Sequence, residues 1–357
     1  MSKIPPLKIG NLVAKIPIIQ GGMGVGISLS RLASAVASSG GIGVIATAGI
    51  GQEEPDLYTD YIKSNNRALR NEIRKAVSLT TGILGVNIMV ALSNYAEFVK
   101  IAIEEHIDII FSGAGLPLEL PKYLNKSGYN PKLVPIVSSG RAAAVIIKKW
   151  LNNYNYLPDA IVVEGPKAGG HLGFKPEQIF DEKFSLKHLV SDVLKEVKPF
   201  ESEYKKIPII AAGGIYTGED IHRFISMGAS GVQMGTRFVT TNECDASDKF
   251  KQAYINCQEK DITIINSPVG MPGRALINNF INDVNKGQKK PYTCPFHCII
   301  TCNRKDAPYC IAKALFNAKK GEFDNGFAFV GANAYRSDKI MKTKDLIDLL
   351  VSEYERL

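Results

Sequence analysis

The chain alternates between short apolar runs and amphipathic stretches of helical length. Eight of the runs are rich in isoleucine and valine and do not alternate with polar residues. Such runs are typical of parallel strands that are buried on both faces. They begin at Ile16, Ile42, Gly82, Ile107, Leu133, Asp159, Ile207 and Ser230. The pattern therefore predicts eight parallel strands.

Amphipathic stretches between these runs predict helices over 29–40, 94–106, 140–153 and 217–229. In the last of them Thr217 is a candidate N-cap, followed by acidic residues in the first turn. Eight strands that are each followed by a helix define a (β/α)8 TIM barrel of about 250 residues. A doubly wound sheet is the alternative, but it rarely has eight strands in unbroken alternation with helices. We therefore predict an α/β protein with a barrel over residues 1–240.

The rhythm changes after the eighth strand, over residues 241–305. This segment contains a predicted helix over 247–261, then SPVGMPGRALINNFINDV, and then a piece rich in lysine and cysteine. It predicts a smaller subdomain, inserted after strand eight, that contributes to the substrate site or covers it as a lid. Residues 306–357 contain two further helical patterns, so we expect them to return to the barrel.

Composition and charge exclude several classes of function. Of the 357 residues 45% are apolar and 22% are charged, which is ordinary for a globular protein. The net charge of +8 is spread thinly, which indicates a solvated surface and favours an anionic ligand. No tract interleaves basic and aromatic residues, so we expect no nucleic acid partner. No apolar run is long enough for a membrane span or a signal peptide. We therefore expect a cytoplasmic protein with reduced cysteines.

Small, polar and glycine residues occupy the carboxyl ends of the predicted strands, where barrels carry their functional groups. One glycine there could simply make a turn, but the pattern recurs at nearly every strand and so indicates a site. The residues at these ends are Gln20, Gly21, Gly22, Met23, Asn87, Ser112, Gly113, Ser138, Glu164, Gly213, Gly214, Gly235 and Thr236.

The ends of strands seven and eight predict a phosphate site. The segments AAGGI and GVQMGTRF would place two turns with exposed backbone amides side by side. Amides in such turns, near the start of a short helix, bind phosphate in many barrels. The hydroxyl of Thr236 could add a donor. This pattern specifies a phosphate but no reaction.

His171 lies in the glycine-rich loop VVEGPKAGGHLGF, which leaves strand six. A loop with so few side chains could lie against a large planar ring, with the imidazole reaching a substrate on that ring. Histidine is suited to general acid–base chemistry near neutral pH. We predict that His171 is catalytic, whereas the other four histidines are expected to be structural or surface residues.

Four of the six cysteines form a C-x3-C-x3-C-x7-C pattern at Cys294, Cys298, Cys302 and Cys310. The spacing of four would align three thiols on one helix face, although Pro295 disfavours a helix at the start of the pattern. Four thiolates could bind an iron–sulfur cluster or zinc. Reduced structural or redox-active thiols are the alternative, and no metal is assigned from the sequence.

Several motifs together resemble the flavin-dependent nitronate monooxygenase family and the related FMN-dependent enoyl-acyl-carrier-protein reductases. The matching segments cover the eight strands, about two thirds of the chain, and SPVGMPGRALINNF is similar to the family's segment in the inserted part. In chain order, the strand segments are PIIQGGMG, GVNIMV, SGAGLP, VVEGPKAGGHLGF, IPIIAAGGI and GVQMGTRFV.

The resemblance implies a non-covalent FMN across the mouth of the barrel, with His171 as the catalytic histidine. The FMN-binding residues that it implies are Gly22, Met23, Gly24, Asn87, Glu164, Gly170, Gly213, Gly214, Gly235 and Thr236.

Two activities follow from the resemblance. GPKAGGHLGF and GMPGRAL are more similar to the monooxygenases, which oxidise small alkyl nitronates with O2. The basic surface instead favours an enoyl thioester or quinone reductase that uses NAD(P)H. A flavin-binding protein without turnover is a third hypothesis, and a homodimer is an open expectation.

Overall fold

The computed structural model describes residues 3–288, 293–294 and 296–357. All eight strands predicted for the barrel are present, and each begins within two residues of the start of its apolar run. In chain order the strands are β1 (Leu7–Ile9), β2 (Leu12–Ala14), β3 (Ile18–Gln20), β4 (Gly43–Ala46), β5 (Leu84–Met89), β6 (Ile109–Gly113), β7 (Lys132–Val137), β8 (Ile161–Glu164), β9 (Gly170–His171), β10 (Ile209–Ala212), β11 (Gly231–Met234), β12 (Ile262–Asn266) and β13 (Pro272–Leu276).

The helices confirm every helical stretch that the sequence predicts and add others, among them two long ones over Tyr61–Leu79 and Leu186–Glu203. Thr217 caps its helix as predicted, because its side chain accepts a hydrogen bond from the backbone N–H of Asp220. The α-helices are α1 (Ser30–Ser38), α2 (Tyr61–Leu79), α3 (Tyr95–Glu104), α4 (Gly140–Tyr154), α5 (Leu186–Glu203), α6 (Gly218–Ser226), α7 (Thr236–Val239), α8 (Asp248–Asn256), α9 (Asn279–Asn285), α10 (Ile311–Lys320) and α11 (Thr343–Glu355).

Eight parallel strands form one sheet in the order β3-β11-β10-β8-β7-β6-β5-β4. The two ends of this order meet through a parallel bridge between Ile19 and Ile42. Gln20 strengthens the seam, because its fully buried side chain accepts a hydrogen bond from the N–H of Val44 at 3.0 Å. The sheet therefore closes into the predicted TIM barrel.

The barrel strands are buried on both faces, as their unbroken apolar runs predict. Alternate residues of one strand belong to different cores: Val162 packs inside the barrel, and Val163 packs against the helices outside. Leu7 and Ile9 of the β1–β2 hairpin join the inner core. The hairpin thus adds apolar side chains to the inner core. It leaves the carboxyl ends of the strands free to form a functional site.

A separate, three-stranded sheet connects the segment after the barrel strands with the His171 loop. It has the order β12-β13-β9, in which Gly273 of β13 pairs with His171 of β9.

The division into residues 1–240, 241–305 and 306–357 stays a prediction. No helix in the described part of the chain is long and apolar enough to cross a membrane.

Candidate functional site

A cavity of about 460 Å³ lies at the carboxyl ends of the barrel strands. All eleven predicted site residues line it, which brings strand ends from around the barrel to one place. Among the described lining residues, the carboxyl, amine and imidazole groups are those of Glu164, Lys167 and His171, and tyrosines and Cys298 also line the cavity. The eleven are Gly22, Met23, Gly24, Asn87, Glu164, Gly170, His171, Gly213, Gly214, Gly235 and Thr236.

The turn after β10 and the start of α7, where the sequence predicts a phosphate site, both line the cavity. We refer to Gly213, Gly214, Gly235 and Thr236 as the cradle. Gly213 and Gly214 have φ angles of +94° and +88°, which side chains of L-residues rarely adopt. A Cβ atom on Gly213 would also lie 2.8 Å from the carbonyl oxygen of Gly165. Thr236 Oγ1 accepts a hydrogen bond from the N–H of Gly331 at 3.0 Å. Its hydroxyl proton can therefore be donated to another acceptor.

Two arginines near the cradle escaped the sequence analysis. The guanidinium carbons of Arg237 and Arg336 lie 4.5 Å and 4.6 Å from the ring centroid of Tyr216, which lines the cavity. Arg237 is 9% exposed, and its Nε has no hydrogen-bond partner among the described residues. A buried positive charge in this position favours an anion in the cradle.

The glycines after β3 allow the chain to approach the neighbouring strand ends. A Cβ atom on Gly22 would lie 2.4 Å from Cβ of Asn87, and a Cβ atom on Gly24 would lie 3.0 Å from Cβ of Ala48. Met23 between them is held by Ser28, whose hydroxyl accepts from the Met23 N–H at 2.8 Å. The glycines are thus required by close packing as well as by the cavity.

His171 is held from two sides. Its Nε2 lies 2.8 Å from Oγ of Ser267, and its ring packs edge-to-face on Phe329 at 4.9 Å between centroids. Burial lowers the pKa of His171 from 6.5 to about 4. The imidazole is therefore neutral at pH 7, which suits a base or a neutral hydrogen-bond donor rather than a resident cation. Ser267 lies in SPVGMPGRAL, but nothing local in that motif indicates this contact.

Arg274 anchors the His171 loop to the small sheet. Its Nη2 donates to the carbonyl oxygen of Pro166 at 2.8 Å, and its Nε donates to that of Ala168 at 3.2 Å. Arg274 is 6% exposed, and burial lowers its pKa. Both ends of the loop are thus fixed, because β9 also pairs with β13.

Glu164 ends β8 on the wall of the cavity. Burial raises its pKa from 4.5 to about 7. Glu164 can therefore hold or release a proton near neutral pH, a property typical of functional sites.

Glu164→Gln should change the pH dependence of stability. The unfolded carboxyl titrates near its ordinary 4.5 and the folded one near 7. The stability that the protonated form contributes is complete below pH 4.5 and is lost as the pH rises through 7. The wild-type protein should therefore lose up to about 3 kcal/mol relative to the variant between pH 5 and pH 9. Urea unfolding of both proteins across this range measures the difference, and parallel pH profiles would contradict it.

The chain belongs to the nitronate monooxygenase family, whose model matches residues 6–109 and 93–353. It is 30% identical to a probable nitronate monooxygenase of Staphylococcus aureus over 77% of this chain and 79% of that protein. It is 28% identical to a (3aS,4S,5R,7aS)-5-hydroxy-7a-methyl-1-oxo-octahydro-1H-indene-4-carboxyl-CoA dehydrogenase of Rhodococcus jostii. That match covers 75% of this chain and 64% of the relative, so the chain spans less than two thirds of its length.

Solved structures share the architecture. FabK from Thermotoga maritima has a TM-score of 0.73 and 28% identity, covering 95% of this chain and 93% of that one. A nitroalkane oxidase from Streptomyces ansochromogenes has a TM-score of 0.72 and 21% identity, covering 98% and 97%. The second likeness concerns the fold alone. The family and the fold identify the protein as an oxidoreductase.

Proposed function

We propose that this protein is an FMN-dependent nitronate monooxygenase. The observation that carries the proposal is a half-buried, neutral His171 on the wall of a glycine-lined cavity that also contains the cradle. The family and the relative from Staphylococcus aureus support the same activity.

The residues present fit FMN. A cavity of about 460 Å³ falls within the range of about 300–1,000 Å³ found for ligand and cofactor sites. The two glycines with positive φ, the Thr236 hydroxyl and the buried charge of Arg237 suit a phosphate group at one end. Gly22, Met23, Gly24, Asn87, Glu164 and Gly170 would then line the ring. Bound FMN supplies the electron transfer between the substrate and O2.

The protein's own groups provide proton transfer and positioning. In the tautomer whose Nε2–H donates to Ser267, Nδ1 of His171 carries the lone pair and can accept a proton from a neutral nitroalkane. With a preformed nitronate no proton needs to be removed, and His171 would orient the substrate instead. The largely apolar lining excludes water, which strengthens both interactions.

Likeness to FabK favours a second candidate function, an NAD(P)H-dependent enoyl thioester or quinone reductase. In that reaction His171 would support the developing enolate. The reductase would differ from the monooxygenase in two respects. Its reductant would be a nicotinamide, and its small-molecule substrate would be a thioester or a quinone.

An anaerobic spectrum of the flavin-loaded protein distinguishes the two. The protein is mixed separately with propionate-3-nitronate and with NADH or NADPH. Bleaching of the flavin by the nitronate alone is the expected result. Bleaching by a nicotinamide alone would contradict the monooxygenase and support the reductase.

Ser267→Ala should lower kcat by about tenfold and leave KM nearly unchanged. The variant removes one hydrogen bond to His171, worth on the order of 1 kcal/mol. It also removes the contact that fixes which ring nitrogen of His171 carries the proton. Steady-state kinetics with a nitroalkane measure the effect, and Ser267→Thr, which keeps the hydroxyl, should retain more of the rate. Equal loss in both variants would count against the positioning role.

A further inference from the structure

A second, small cavity of about 30 Å³ is lined by all four clustered cysteines. All of them are free thiols. Each of the six pairs among the four interacts electrostatically. The other two cysteines, Cys244 and Cys257, lie elsewhere in the core. The fold therefore gathers the C-x3-C-x3-C-x7-C pattern at one point.

No helix brings the four cysteines together. The prediction that one helix face aligns three of the thiols is therefore wrong for the described residues. Residues 298–300 run antiparallel to residues 91–93, with Leu92 bridged to Ile299. A turn then leads to Cys302. Cys310 arrives separately, as the N-cap of α10. Pro295 lies outside the described residues.

Two further side chains with nitrogen groups accompany the four thiols in the lining of the small cavity. Arg304 and His297 line the cavity, and Arg304 attracts the thiolate of Cys302. Burial and mutual repulsion oppose ionisation of the thiols, Cys298 above all. Iron or zinc would supply the missing positive charge.

A cluster and a single ion differ in the spacing that they require of the four thiols. A single zinc ion requires its thiolates to converge on one point at about 2.3 Å. Among the described residues no group of three or more His, Cys, Asp or Glu side chains is placed to hold a metal ion. In a four-iron cluster each cysteine binds a different iron atom, so the thiolates stand further apart. We propose that Cys294, Cys298, Cys302 and Cys310 bind a [4Fe–4S] cluster.

The cluster would lie against the main cavity. Cys298, Ile299 and Ile311 line both cavities. Tyr61 lines the main cavity and interacts electrostatically with Cys294, Cys298 and Cys310. A one-electron carrier would therefore share a wall with the proposed flavin site.

Iron and sulfide analysis tests the proposal without turnover, so its failure is distinguishable from failure of the proposed activity. The protein is purified anaerobically, reconstituted with ferrous iron and sulfide, and desalted. We expect about four iron atoms and about four acid-labile sulfides per chain, and a paramagnetic signal after reduction with dithionite. Zinc in place of iron, iron without sulfide, about two of each, or no metal would overturn the assignment.

Matched cysteine variants locate the cluster. Cys302→Ser changes a half-buried ligand and should lose most of the iron, sulfide and signal. Cys257→Ser removes a buried thiol outside the four and should retain all three. Circular dichroism of both variants checks folding. Equal iron content in the two folded variants would overturn the proposal.

Discussion

His171→Ala should lower turnover about 10²- to 10⁴-fold while the protein still binds flavin. His171 is the one histidine among the described residues that line the cavity, and its Nε2 is held by Ser267. The change creates space near Phe329 but leaves the cradle untouched. Steady-state kinetics and the flavin-to-protein absorbance ratio measure the two effects. An unchanged rate would remove the catalytic assignment.

The size of the loss should depend on the substrate. If His171 is a base, its removal costs more with a neutral nitroalkane than with the corresponding preformed nitronate. Because the pKa of His171 is about 4, the rate should fall only as the pH drops toward 4, where the imidazole is protonated. His188→Ala is the matched control, since His188 is an exposed residue that bonds locally to Ser185.

The eight barrel strands could be predicted because each is an apolar run buried on both faces, a signal that depends only on local sequence. Helix α2 is harder to find, because its 19 residues are mostly polar and its buried stripe, which includes Leu69 and Ile73, is narrow. Short runs also exceed the strands they form: Ile207 belongs to the apolar run but precedes β10. The pattern of apolar residues thus predicts the presence of a strand better than the residues at which it begins and ends.

The site could be predicted as far as strand ends determine it. Gly213, Gly235 and Glu164 face one cavity because the carboxyl ends of parallel strands meet at one rim. The contacts of His171 with Ser267 and Phe329 depend instead on the pairing of β9 with β13, about one hundred residues apart. No local pattern encodes such a pairing. Whether the eleven residues bind FMN stays a prediction.

Gly235→Asp should abolish FMN binding by placing a carboxylate in the cradle. Gly235 has a φ of −103° and lies at the N-cap of α7, a position that aspartate favours. A Cβ atom there would meet only Met23, at 3.6 Å, which is an ordinary contact. The backbone should therefore accept the change. Repulsion between like charges costs several kcal/mol, so the dissociation constant for FMN should rise by about 10² or more.

Gly235→Asn separates charge from size, because asparagine has the same shape without the negative charge. Flavin titration of the apoprotein, with circular dichroism as a check of folding, compares the two variants. We expect the asparagine variant to bind FMN within about tenfold of wild type, a cost of at most about 1.4 kcal/mol. Full flavin occupancy in Gly235→Asp would mean that the phosphate lies elsewhere. Equal loss in both variants would mean that space, and not charge, limits the cradle.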